Sequence, residues 1–202
     1  MRTMSRAEAV AVHAARLVVD EGLEYAAAKR KAAAELQRRG GGRAELPSTE
    51  EVEDQVREHL AIFHADEQPA ELRALRELAR EWMRRLAPFR PHLSGAVWRG
   101  TATRRSALRL DLYCDDPKAA EIALVNADVR YDVQTQPRTG AEPVPMLVVQ
   151  ATSRALGQRV PLVLALHDHL AQRGALKPDA RGRSWRGDLA ALERLLSSEA
   201  AT

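Results

Sequence analysis

Near residue 90 of this 202-residue chain the spacing of apolar residues changes from about four to two. A chain with such a break joins a helical region to a sheet. Before it, Ser5 with Glu8 and Ser48 with Glu51 form two capping boxes, in which each serine and glutamate satisfy orphan backbone groups at a helix start. Four helices are expected. The first carries Ala9, Val12, Arg16 and Val19 on one side and stops at Gly22, and the second runs from about Glu24 to Arg39 and ends at a Gly40–Gly42 break. The third, Thr49 to His64, puts Val52, Val56, Leu60 and Phe63 on one face, and the fourth, from Pro69, carries Leu72, Leu75, Leu78, Trp82 and Leu86 before Pro88 and Pro91.

Beyond the break, strands are expected at Leu93 to Arg99, Ala107 to Cys114, Val129 to Gln134, Val144 to Ala151 and Arg159 to Leu166. Asp116-Pro117 opens a helix reaching Asn126, with Asp116 as cap and Pro117 in the first turn. An amphipathic helix from Gly187 to Ser198 closes the chain. The predicted fold class is α+β: a helical region over 1–90, then a mixed sheet with flanking helices over 91–202.

Composition excludes several classes. The single cysteine, Cys114, cannot form an internal disulfide or a cysteine-based zinc site. Arg2, Arg6 and Glu8 leave no apolar signal region, and the longest apolar run, Val160 to Leu166, is too short to span a bilayer. A cytoplasmic, bacterial-type protein with no membrane partner is expected. The net charge of +3 is mild, so charge distribution matters more than the sum. The densest basic run lies between Arg173 and Arg186. There Lys177, Arg181, Arg183 and Arg186 surround Trp185, a set that could stack on and pair with single-stranded nucleic acid or anchor a loop with its cations in water.

The stretch RGTATRRSALRLDLYCDD, residues 99–116, carries the chemistry. It resembles the first two strands of the nucleotidyltransferase (polymerase-β-like) superfamily, in which a Gly-Ser turn holds nucleotide phosphates and an Asp-x-Asp pair on the next strand holds two Mg²⁺. The resemblance covers about residues 93–135 and implies that fold. Strand alternation puts Leu108, Leu110, Leu112 and Cys114 on one face and Arg109, Asp111, Tyr113 and Asp115 on the other. With Gly100-Thr101 as the turn, Asp111 is the first carboxylate and Tyr113 stands where the second would be. With Ser106 as the serine before the pair, Ala107 and Arg109 replace both. The superfamily's third carboxylate falls on the strand after the helix, at Asp132.

These residues leave three functions open. A nucleotidyltransferase-fold protein lacking the metal pair would bind nucleotide or RNA phosphate through Arg99, Gly100, Thr101, Arg104, Arg105 and Ser106, since guanidinium forks and backbone N–H groups hold phosphate; it needs no cofactor. A working Mg²⁺-dependent transferase would use Asp111 and Asp132. A helical scaffold would act through the apolar stripes of the third and fourth helices, which also suit a homodimer. No metal ligand set stands out, because His59 and His64 are five apart on a helix and His167 and His169 read as polar residues at a strand end.

Overall fold

In the computed structural model, which describes residues 5–39, 45–136, 143–173, 177–179 and 181–199, both serine caps form as expected. Ser5 opens α1 (Arg6–Glu21) and Ser48 opens α3 (Thr49–Phe63), each accepting from the glutamate N–H three residues on. The Gly40–Gly42 break and Arg2 lie outside the described residues. Between them in the chain, α2 spans Tyr25–Arg38, and α4 spans Gln68–Arg85.

The chain divides into two units. One comprises the residues up to Leu72 together with Thr101–Ser106; the other comprises Arg73–Gly100 and the chain from Ala107. In the helical unit, α1 packs on α2 and α3, burying Val10, Ala14, Val18, Ala28, Val52 and Val56. The stripe expected on α1 is displaced. Val19 is buried as expected, and so are Val10, Ala14, Leu17 and Val18, while Arg16 is exposed and Ala9 and Val12 are only half-buried. On α3, Val52, Val56 and Leu60 are buried but Phe63 is 67% exposed.

The second unit is built on a six-stranded mixed sheet. Its strands are β1 (His92–Ser94), β2 (Leu108–Cys114), β3 (Tyr131–Gln136), β4 (Val144–Ser153), β5 (Gln158–Asp168) and β6 (Arg186–Gly187), in the order β3-β4-β5-β2-β1-β6. Only β2 and β5 run parallel. Apolar side chains of β2, β4 and β5, among them Leu110, Leu147 and Leu164, fill the core. Helix α6 (Pro117–Asn126) packs on β2 and β5, and α7 (Leu189–Glu199) on β1 and β6.

One expected strand is largely a helix. Leu93 to Arg99 pairs only through Ser94, and α5 (Gly95–Arg99) follows. Gly95 and Gly100 both have positive φ, 70° and 79°, which turns the chain off the sheet and then caps the helix.

Candidate functional site: a carboxylate held by three bases

The polar side of the sheet assembles around Asp111. In an aligned pair of strands, opposite side chains share a face. His92 stands opposite Asp111 and Ser94 opposite Arg109; Ser94 also faces Arg186 across β1 and β6, and Tyr113 pairs with His167 across β2 and β5. Asp111 is 3% exposed. Its Oδ1 meets His167 Nε2 at 3.0 Å and Arg109 Nε at 3.6 Å, and its Oδ2 meets Arg186 Nη1 at 3.2 Å. Arg186 Nη1 also donates to the Tyr113 hydroxyl at 2.5 Å, and the Tyr113 and His167 rings stack at 5.4 Å. Burial pushes the Asp111 carboxyl up, but the His167 hydrogen bond and the Arg186 and Arg109 charges outweigh it, and the group sits below its ordinary value. Burial pushes the Tyr113 hydroxyl up despite Arg186.

This geometry does not suit a pair of divalent ions. Mg²⁺ asks for several hard oxygen ligands and rejects cationic neighbours. Here a single carboxylate faces two guanidiniums and an imidazole. Asp132 lies on β3, three strand spacings or about 14 Å from β2. It lines an open groove of about 1430 Å³ with Trp82, Arg85, Arg130, Arg154 and Arg159, a groove whose lining omits Asp111. The strand beside β2 on that side is β5, which brings His167 to Asp111. The parallel β2–β5 pairing that does this joins residues 56 apart, and a periodicity gives no sign of such pairing.

The expected phosphate cradle is engaged in part within the protein, with Arg104 and Arg105 exposed, and its residues belong to different units. In the sheet unit, Arg99 is 6% exposed. Its Nη2 donates to Asp179 at 3.0 Å, its Nη1 to the Ser184 carbonyl at 3.2 Å, and its guanidinium lies 4.3 Å over the Trp185 ring. Gly100 caps α5. In the helical unit, Thr101 Oγ1 pairs with Tyr25 OH at 2.5 Å, Ser106 Oγ accepts from the Thr103 N–H, the Arg104 N–H donates to Glu71, and Arg105 donates to the Asp20 carbonyl. The turn that leaves the first strand is at Gly95, not Gly100.

The basic run folds around Asp179, whose carboxylate accepts from the N–H groups of Arg181 and Arg183 as well as from Arg99. Burial raises the Asp179 carboxyl, but those donors hold it below the ordinary range. Lys177 is exposed, and residues 174–176 and 180 lie outside the described set. Trp185 has one face covered by the Arg99 guanidinium. From this run, Arg186 reaches Asp111. Cys114 is buried, and burial pushes its thiol up.

No protein-family model and no curated protein matches this sequence. Among solved structures, the chain is similar to the Cid1 poly(U) polymerase bound to MgGTP, with 15% identity, a TM-score of 0.36, and coverage of 58% of this chain and 39% of that one. It is also similar to Cid1 with its short product ApU, at 18% identity, TM-score 0.35, and coverage of 62% and 42%. A cytoplasmic RNA terminal U-transferase matches at 19% identity, TM-score 0.34, and the same coverage of 62% and 42%. The chain therefore spans about two-fifths of the length of each. Among the described residues, no helix is long and apolar enough to cross a membrane.

Proposed function

We propose that this protein binds a phosphate-bearing ligand, a nucleotide or an RNA backbone, on the polar face of its sheet, without a metal pair and without nucleotidyl transfer. The observation that carries this reading is the engagement of Asp111 by Arg109, Arg186 and His167, which leaves more positive than negative charge where metal ligands would stand. Two donors remain to be satisfied nearby: Ser94 Oγ and Arg186 Nε are buried without a hydrogen-bond partner among the described residues. Ser94 lies between Arg109 and Arg186 in the strand register. A phosphate oxygen there would satisfy donors that are costly to leave unpaired. Arg109 is held by Gln136 at 3.0 Å on its other side, which aims the guanidinium along the face.

The test is thermal protection of the purified chain by ATP, CTP, GTP, UTP and a short RNA, in EDTA. Protection is expected, and it should fall by on the order of tenfold in apparent affinity in Arg109→Gln, the loss of one charge-assisted contact. Magnesium-dependent turnover of any triphosphate, lost in Asp111→Ala, would overturn the reading in favour of a transferase. No protection by any of these ligands would overturn it in favour of a scaffold.

A further inference from the structure

The helical unit brings together three side chains that the site above does not use. Asp20, in the last turn of α1, and His59 and His64, at the end of α3, place one ligand atom each within 4.8 Å of the others. On an uninterrupted helix, positions five apart point about 140° away from each other. His64 escapes that constraint because it is the C-cap, with φ −135° and ψ 19°. Its ring turns back to 5.9 Å from His59, and Phe63 packs against His59 at 4.7 Å. Among the described residues neither imidazole is hydrogen-bonded to a protein group, which leaves their ring nitrogens available as ligands.

A second, independent feature points to a cation. Helices α1 and α3 both end at this place, and neither carries a basic residue in its last turn. The C-terminal carbonyls of α3 therefore present a partial negative charge that no lysine or arginine of that turn offsets, while at the end of α1 a cation from outside the helix meets a carbonyl. Among the described residues, Arg105 donates to the Asp20 backbone carbonyl, and Arg16 acts electrostatically on His59.

We propose that Asp20, His59 and His64 form a zinc site that braces the end of α1 to the end of α3. Two imidazoles and one carboxylate suit Zn²⁺ and not Mg²⁺, which prefers an all-oxygen shell. Three protein ligands leave the fourth tetrahedral position to water. The site is independent of the sheet's polar face.

The experiment uses the full chain, stripped with EDTA and desalted, then titrated with ZnCl₂ while bound metal and the thermal midpoint are measured. About one zinc per chain is expected, with a rise in midpoint that MgCl₂ does not reproduce. Groups that merely orient ligands are worth about 10- to 100-fold in affinity, so His59→Gln or His64→Gln should lose at least that much. Asp20→Asn, at an exposed position, gives the same reading without altering α3. His169→Gln is the control: His169 pairs with Asp115 at 2.6 Å and should leave zinc uptake unchanged. Absence of zinc uptake by the unaltered chain overturns the proposal. So does undiminished uptake in Asp20→Asn and His59→Gln, or loss of uptake in His169→Gln.

Discussion

Asp111 serves the polar face as the fixed counter-charge to two arginines, and its removal should separate binding from catalysis. Asp111→Asn frees Arg109 and Arg186 from a negative charge, so phosphate affinity should hold or rise. A metal-dependent enzyme would instead be abolished by the same change. The cost falls on stability: Asp111 is buried, but its arginine partners are partly exposed, so the expected loss is about 2 kcal/mol by urea denaturation. Because its carboxyl is held below its ordinary value in the fold, Asp111 contributes stability above the unfolded value of about 3.9, and that contribution disappears as pH falls through the folded value. The acid limb of a stability–pH curve should be shallower in Asp111→Asn; an unchanged limb would mean that Asp111 is not held by these bases. Tyr25 shows the opposite sign. Burial, against the Thr101 hydrogen bond, pushes its hydroxyl up to about 12, so the fold keeps the proton while the unfolded chain loses it from about pH 10. Stability should drop by about 1.4 kcal/mol per pH unit between those values, and Tyr25→Phe should remove that slope. At neutral pH the same variant should cost about 1–2 kcal/mol, because buried Thr101 Oγ1 loses its partner.

Helix caps were legible because a cap is a local event. Ser5, Ser48 and Asp116 each satisfy a backbone N–H within three residues, and no distant part of the chain is needed. Strand Leu93 to Arg99 was misread for the complementary reason. Its alternation was compatible with either element, and only the positive φ of Gly95 and Gly100 decided for a helix. Gly22 caps α1 with φ 69°, and a Cβ there would stand 2.1 Å from the Arg105 carbonyl oxygen. Gly22→Ala should therefore destabilise by more than the roughly 1–2 kcal/mol of a left-handed non-glycine residue, as chemical denaturation would register. A loss under 1 kcal/mol would mean that the Arg105 carbonyl yields easily. The apolar stripe expected on α4 is buried: Leu72, Leu75, Leu78, Trp82 and Leu86 are all buried.

The last helix ties the sheet unit together. Leu192 and Leu196 are buried, and Arg76, only 4% exposed, donates to Glu199 and to the Val97 and Trp98 carbonyls. Ending the chain after Gly187 should cost about 5 kcal/mol or more, from two buried leucines and the partners lost to Arg76. Leu192→Ala alone should cost about 2–5 kcal/mol. A truncated chain as resistant to urea as the whole would show α7 to be an appendage.

Periodicity and caps were enough to determine the α+β class and α6 with its Asp116 cap; attention to Asp111 came from the resemblance of the 99–116 stretch. The class and that helix follow from interactions between residues a few positions apart. Tertiary structure alone decided that Asp111 meets His167 and Arg186 and not Asp132, that Arg99 spends its guanidinium on Asp179 and Trp185, and that His64 turns back to His59 beside Asp20. Each of those depends on strand order or helix packing across long separations in sequence, and a one-dimensional pattern does not encode which strands will be neighbours.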